Sequence, residues 1–222
     1  LEGRDWTRLA EALADGRPLY SRPPMANYYE DSLRGFYYSQ DSVKLTRAVL
    51  PAGTVELTEC ENVPFTRFSK SVKFTFLELA ISFAYGSEGV TLNLFDHAGT
   101  PMRAEEHYGR MLAEKKNYLT ALMLATRPEG RFRGVRLIHA PGASAVKRLE
   151  PGAAYAELAE DGFEMMQALE SHGVATTYQE SEVAALAGET ARALSDGDIR
   201  ELLAGGLLLD GAAAGILVER GF

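Results

Sequence analysis

Residues 54–61 read TVELTECE, and this stretch decides the fold. Its side chains alternate between two faces, with Val55, Leu57 and Glu59 on one of them, which is the two-residue period of a β-strand. An apolar helix is predicted next over Ser71–Tyr85, followed by an apolar strand over Val90–Phe95. A strand, a helix and a strand in this order predict a right-handed βαβ unit with parallel strands.

The same alternation continues on both sides of this unit. Apolar spacing and glycine or proline stops predict a strand over Arg17–Met25 and helices over Asp5–Leu13, Ser39–Leu50 and Ala104–Ala125. Three parallel strands alone would leave the edges of their sheet open. Residues 1–126 are therefore predicted to be the closing part of a barrel in an α/β protein.

The charged segment 127–133 is the predicted linker to a second domain over residues 134–222. The composition beyond it shifts towards Ala, Gly and Leu. Strands are predicted over 134–139, 173–178 and 207–210, with helices over 153–171 and 195–204. Ser195 and Asp198 have the spacing of a capping box. This order favours a flavodoxin-like open parallel sheet.

The bulk composition excludes several classes of protein. With 46% hydrophobic and 24% charged residues the chain is globular, and a net charge of -8 without clustered Lys or Arg argues against a nucleic-acid partner. One cysteine and no apolar run of membrane length favour the cytoplasm, with no membrane partner. Because the sequence lacks an initiator Met, it is expected to be a fragment or a processed product.

Glu59 and Glu61 are the first candidates for chemistry. Both lie on one face of the predicted strand and close to its C-terminal end, where parallel barrels place their catalytic groups. A retaining glycosidase needs two carboxyl groups about 5 Å apart, one as nucleophile and one as acid/base. Glutamates also end strands for structural reasons, so the spacing alone leaves both interpretations open.

Further candidates follow the predicted strands, and each has a structural alternative. Asp96 and His97 would bind sugar hydroxyls or form a helix-entry cap before Gly99. Arg22 would bind substrate or pair with a carboxylate of the sheet. Tyr28, in an aromatic stretch, would stack on a sugar ring or simply pack. Arg67, Ser69 and Lys70 would line the cleft or form a solvated helix start.

The segment Cys60-Glu61-Asn62-Val63-Pro64 resembles the nucleophile-bearing strand end of glycoside hydrolase family 42, the β-galactosidases. The similarity continues through Phe76–Ala80, Tyr85-Gly86 and Gly89-Val90. The resemblance implies that Glu61 is the nucleophile, that Glu59 and Asn62 contact or orient substrate, and that no cofactor is needed. It also implies that residues 1–126 are the C-terminal part of a (β/α)8 TIM barrel, strands six to eight, with a flavodoxin-like trimerisation domain after it and an acid/base upstream of Leu1. Residues 93–97 depart from the family pattern, which leaves the sugar open.

The sequence thus predicts a retaining glycoside hydrolase acting on a glycoside or oligosaccharide, inactive as an isolated chain. It would form a homo-oligomer, such as a trimer, or associate with a missing N-terminal part. One alternative is a non-catalytic carbohydrate-binding or oligomerisation module, and another is an α/β enzyme in which Asp96 and His97 act together. Metal binding is not expected, because His107, His139 and His172 are scattered and are predicted to be surface or locally bonded residues.

Overall fold

Two separate parallel sheets organise the computed structural model of this chain, which describes residues 5–25, 28–30, 33–126, 130 and 132–222. The predicted α/β class is therefore confirmed. The chain divides into two compact units. The first unit comprises residues 16–47 and 52–130, and the second unit comprises residues 1–15, 48–51 and 131–222. Much of the predicted linker, at 127–129 and 131, lies outside the described residues, so the predicted domain boundary stays a prediction.

The sheet of the first unit contains three strands in the order β1-β2-β3, all parallel. They are β1 (Tyr20–Ser21), β2 (Val55–Glu61) and β3 (Gly89–Asn93). The central strand β2 buries one face, and the register sets Glu61 opposite Asn93. Sequence periodicity therefore predicted the central strand to within one residue.

The predicted strand over Arg17–Met25 is wrong in its length. Its ladder stops at Ser21 and resumes around Pro24, where the Met25 N–H donates to the Glu59 carbonyl at 2.8 Å and the Glu59 N–H donates to the Pro23 carbonyl at 3.0 Å. Two adjacent prolines have no N–H to donate, so a continuous ladder cannot form across them.

Helices of the first unit pack on this sheet. They are α2 (Leu33–Val49, whose last residues belong to the second unit), α3 (Val72–Ala84) and α4 (Glu106–Ala125), the last preceded by a short 3-10 helix over Met102–Glu105. Ser71 caps α3, because its hydroxyl accepts the Phe74 N–H at 3.1 Å. Helix α2 begins six residues earlier than predicted, since Phe36 is buried against Phe74 with ring centroids 5.6 Å apart. One core cluster joins α3 to β2 and α4, and its buried members are Cys60, Leu79, Leu94, Tyr108, Met111 and Leu119.

The second unit contains a four-stranded parallel sheet in the order β5-β4-β6-β7. Its strands are β4 (Val135–Leu137), β5 (Thr176–Thr177), β6 (Val183–Leu186) and β7 (Gly206–Leu209). Its helices are α1 (Trp6–Ala14), α5 (Ala143–Val146), α6 (Gly162–Ser171), α7 (Asp196–Ala204) and α8 (Gly211–Glu219), with 3-10 helices over Tyr155–Leu158 and Gly188–Arg192. The sequence predicted no element at β6, because this short strand carries two alanines and lacks an alternating pattern.

The predicted helix over 153–171 is wrong in its first half. Residues 159–161 interrupt it, and the Asp161 carboxylate accepts from Lys147 Nζ at 2.6 Å and from the Glu189 N–H at 2.8 Å. An Asp that bonds outward in this way competes with helix continuation. The capping box at α7 is confirmed: Ser195 Oγ accepts the Asp198 N–H at 3.2 Å, and Asp198 Oδ2 accepts the Ser195 N–H at 3.1 Å.

None of the helices in the described residues is long and apolar enough to cross a bilayer.

Glu56, near the start of β2, gives the first unit a pH-dependent stability. Its carboxyl is buried with Arg47 at 3.6 Å, and burial raises the pKa of Glu56 to about 7 while Arg47 opposes the rise. Because the folded protein then holds this proton more tightly than the unfolded chain does, stability is fully present below pH 4.5 and is lost as the pH rises through about 7. The loss is on the order of 3 kcal/mol.

We therefore expect Glu56→Gln, which cannot ionise, to lack this fall in the free energy of unfolding between pH 5 and pH 8. The measurement is urea unfolding of both proteins at each pH, with Glu88→Gln as a control that removes the neighbouring charge but keeps the buried carboxyl. If wild type and Glu56→Gln change equally with pH, Glu56 is not the group responsible.

Candidate active site

The C-terminal end of β2 brings two carboxyl groups onto one face of the sheet. Glu59 and Glu61 are both partly buried, whereas Cys60 between them points into the core. Arg22, at the end of β1, forms an ion pair with Glu59, with Nη1 and Oε1 2.7 Å apart. Of the two interpretations of Arg22, pairing with a carboxylate of the sheet is the one observed.

Glu59 and Glu61 also share a hydrogen bond between their side chains. Burial raises the pKa of Glu59, the negative charge of Glu61 raises it further, and Arg22 opposes the rise. Burial and the neighbouring Glu61 therefore both favour the protonated form of Glu59 relative to an ordinary glutamate.

Tyr28 is the third member of the site. Its phenol donates a hydrogen bond to the Glu61 carboxylate, and this bond is the largest cause that raises the pKa of Tyr28. The residues after it are fixed to the start of α3: the Glu30 N–H donates to the Ser69 carbonyl at 3.1 Å, and Glu30 Oε2 accepts the Ser71 N–H at 2.8 Å. The bonds to Ser71 lower the pKa of Glu30, so this attachment is charge-assisted at neutral pH.

Lys70 is neither part of a cleft nor solvated, so both interpretations of it from the sequence are wrong. Its side chain and that of Glu78 are 0% exposed, and Lys70 Nζ lies 2.6 Å from Glu78 Oε2. The same ammonium donates to the Glu61 carbonyl at 2.5 Å. Cys60 Sγ lies 3.2 Å from Glu78 Oε2, and burial raises the pKa of Cys60 well above its ordinary value.

Asn62 does not face solvent. Its buried amide donates to the Leu94 carbonyl at 2.9 Å and to the Tyr108 hydroxyl at 2.8 Å, while its own N–H donates to the Asn93 carbonyl at 2.9 Å. These three bonds join the ends of β2, β3 and α4 below the carboxyl pair. Asn62 therefore supports the site from within the core in this structure, and contact with substrate stays a prediction.

Asp96 and His97 lie beyond the end of β3 at Asn93 and not within it. Asp96 Oδ1 accepts the Ala98 N–H at 2.8 Å, and its hydrogen bond with Thr100 is the largest cause that lowers the pKa of Asp96. Asp96 therefore stabilises a turn and does not form the helix-entry cap that was one of the two interpretations; binding of sugar hydroxyls stays a prediction. His97 is exposed, and its N–H donates to the Pro64 carbonyl at 2.6 Å, which ties the loops after β2 and β3 together.

The loop after Glu61 presents two aromatic side chains that the sequence interpretation missed. Phe65 and Phe68 are 83% and 88% exposed. Arg67 between them is fixed, because its guanidinium forms an ion pair with the buried Glu105 carboxylate and donates to the Ala104 carbonyl at 3.0 Å. Two phenylalanines in the loop after a strand-end glutamate were the sequence pattern from which these exposed side chains could have been predicted.

Among the described residues, no group of three or more His, Cys, Asp or Glu side chains is placed to hold a metal ion. The three scattered histidines are locally bonded, as predicted: His107 Nε2 lies 3.3 Å from Glu105, His139 Nδ1 lies 2.7 Å from Glu160, and His172 Nδ1 lies 2.7 Å from the Ala168 carbonyl.

Comparison of the chain with protein-family models, with curated proteins and with solved structures found no match.

Proposed function

We propose that this chain carries the nucleophile of a retaining glycoside hydrolase, of the β-galactosidase type, and that the nucleophile is Glu61. The observation that carries the proposal is the hydrogen-bonded set of Tyr28, Glu61, Glu59 and Arg22 at the carboxyl end of a parallel strand. Parallel α/β sheets place catalytic groups at this end. Glu61 is the carboxyl group of the pair that the phenol of Tyr28 also contacts.

Each side chain has a distinct role in this proposal. Glu61 attacks the anomeric carbon of the substrate while the glycosidic C–O bond breaks, and the glycosyl–enzyme ester is then cleaved by water. Glu59, held in place by Arg22, orients the Glu61 side chain beside it. Tyr28 orients the attacking oxygen.

The leaving oxygen needs a proton from a second carboxyl group. In a retaining enzyme this group lies about 5 Å from the nucleophile, with the substrate between them. Glu59 is bonded directly to Glu61, so no substrate fits between the two. The proposal therefore assigns the acid/base to a residue outside this chain, supplied by an N-terminal part of the barrel.

The finer fold assignments support the same proposal. Strands β1, β2 and β3 follow one another in chain order and in parallel, as consecutive strands of a (β/α)8 barrel do. The order β5-β4-β6-β7 corresponds to the 2-1-3-4 start of a flavodoxin-like sheet. We propose accordingly a barrel part followed by a flavodoxin-like domain that serves in homo-oligomer formation.

The exposed aromatic side chains near Glu61 support a glycoside as the substrate. Tyr28 and Tyr29 are also partly exposed beside the carboxyl pair, and Phe65 and Phe68 follow it. The apolar faces of pyranose rings stack on such side chains, while their hydroxyls bond to carboxylates and phenols. The same surface would serve a non-catalytic carbohydrate-binding module, which stays the alternative.

The test is covalent trapping of the nucleophile in the full chain. A fluorinated galactoside with a dinitrophenolate leaving group needs no acid, because dinitrophenolate departs without a proton, and the fluorine slows hydrolysis of the ester. We expect mass spectrometry to find the fluoroglycosyl group on the peptide that contains Glu61, with the label lost in Glu61→Gln and kept in Glu88→Gln.

Two outcomes contradict the proposal. A label that persists in folded Glu61→Gln would remove Glu61 as the nucleophile. Binding of galactosides to the wild-type chain with no label at all would favour the carbohydrate-binding alternative.

A further inference from the structure

We propose that the buried pair Lys70–Glu78 positions Glu61, through the bond from the Lys70 ammonium to the Glu61 carbonyl. The pair would then be part of the site without touching substrate. This inference rests on the proposed function for its catalytic meaning, but its geometry is independent of any substrate.

The Lys70 ammonium is bonded directly to the backbone of the proposed nucleophile. Lys70 Nζ lies 2.5 Å from the Glu61 carbonyl oxygen and 2.6 Å from Glu78 Oε2, and neither side chain of the pair is exposed. Glu78 belongs to α3, so the ammonium connects the last residue of β2 to the middle of the helix that follows it. The backbone of Glu61 is therefore attached to the core at its own carbonyl.

Neighbouring bonds hold Lys70 itself in place. The Tyr108 hydroxyl donates to the Lys70 carbonyl at 3.4 Å and accepts from the Asn62 amide at 2.8 Å. Ser69 Oγ accepts the Val63 N–H at 3.3 Å. These hydrogen bonds join the two ends of the loop from Asn62 to Lys70. Lys70 is bonded through both its side chain and its backbone.

Stability alone is a weak reason for this arrangement. A buried ion pair loses the hydration of both charges, and replacing such a pair by apolar side chains of similar size is often neutral or stabilising. A Lys that directs one of its few donors to the carbonyl of the proposed nucleophile has a more specific effect. Fixing that carbonyl fixes the direction in which the Glu61 side chain leaves the strand.

The pKa of Tyr28 provides a measure of this direction, because it depends on the hydrogen bond from the phenol to Glu61. Tyr28 reaches Glu61 from a segment in which Glu30 is bonded to Ser69 and Ser71, the residues on either side of Lys70. A change in the direction of Glu61 would therefore lengthen the Tyr28–Glu61 hydrogen bond. Misplacement of a reacting group by about 1 Å costs on the order of 100-fold in rate.

The test is the double substitution Lys70→Met/Glu78→Leu in the full chain, which removes both charges and keeps the volume. We expect a folded protein in which the pKa of Tyr28, followed by NMR, falls towards the ordinary value for tyrosine. The rate of covalent labelling at Glu61 should fall at least 10-fold. Ser82→Ala is the matched control, because it removes a buried bond from the same helix, from Ser82 Oγ to the Glu78 carbonyl at 2.8 Å, and should change neither readout.

A folded double variant with an unchanged Tyr28 pKa overturns the inference. Should this variant not fold, Lys70→Met/Glu78→Gln keeps a partner for Cys60 and answers the same question. If both variants are unfolded, the pair serves the fold alone and the inference is wrong. The Tyr28 readout needs no label, so a wild-type chain that does not react contradicts the proposed function and leaves this test intact.

Discussion

Lys70→Met alone is expected to lower the free energy of unfolding of the first unit by about 3–5 kcal/mol. The substitution leaves the Glu78 carboxylate buried, 0% exposed, without its ammonium partner. An unpaired carboxylate in that position lowers the free energy of unfolding by far more than the ion pair raised it. The carboxylate has lost its hydration and no longer has the Lys70 ammonium to compensate for that loss. Urea unfolding followed by circular dichroism measures the loss.

The double variant Lys70→Met/Glu78→Leu is the control for this prediction. It should recover most of the lost stability, because no charge is left unpaired in the core. A single variant as stable as the wild type would mean that Glu78 is neutral or hydrated in its place, and that the buried ion pair contributes little.

Gly134→Ala is expected to destabilise the second unit by about 3 kcal/mol or more. A Cβ at this position would lie 2.3 Å from the Ala175 carbonyl oxygen and 2.8 Å from the Thr176 nitrogen, with φ at +156°. Both atoms belong to the backbone of the segment that pairs β4 with β5, where the Val135 N–H donates to the same Ala175 carbonyl at 2.9 Å. The Ala175–Thr176 backbone cannot move aside without breaking the hydrogen bonds that pair β4 with β5.

Gly142→Ala is the matched control in the same unit. Its φ is +85°, but a Cβ there would meet nothing within 4 Å. Only the backbone strain of about 1–2 kcal/mol should appear. Comparing the thermal unfolding of the two variants distinguishes the effect of backbone strain from that of the steric clash. Equal losses of stability would show that the close approach of the Ala175 carbonyl to Gly134 has no energetic consequence.

Much of the fold follows from sequence periodicity. Helices α3 and α7 and strand β2 were predicted to within one residue, because apolar spacing and a serine cap mark their bounds. The errors fall where tertiary contacts decide. Helix α2 begins early because Phe36 packs on α3, and the central strand β6 has too short and too alanine-rich a sequence to show any period.

The candidate site was only partly predictable. The shared face of Glu59 and Glu61 follows from the period of the strand, and the pairing of Arg22 follows from the cost of an isolated charge. The burial of Lys70 could not be predicted, because a Lys eight residues before a Glu on a different element has no sequence signature. The contact of Tyr28 with Glu61 likewise depends on tertiary contacts, such as that between Glu30 and Ser71, that leave no pattern in the sequence.

The burial of Cys60 makes its thiol a natural probe of transient unfolding in the first unit. Cys60 is the one cysteine in the sequence, its side chain is 0% exposed, and it lies against Glu78 in the core. A thiol reagent can therefore react only with molecules in which the first unit has transiently opened. The reaction rate in native buffer would report how often the strand that carries Glu61 separates from α3, with no engineered probe and no denaturant.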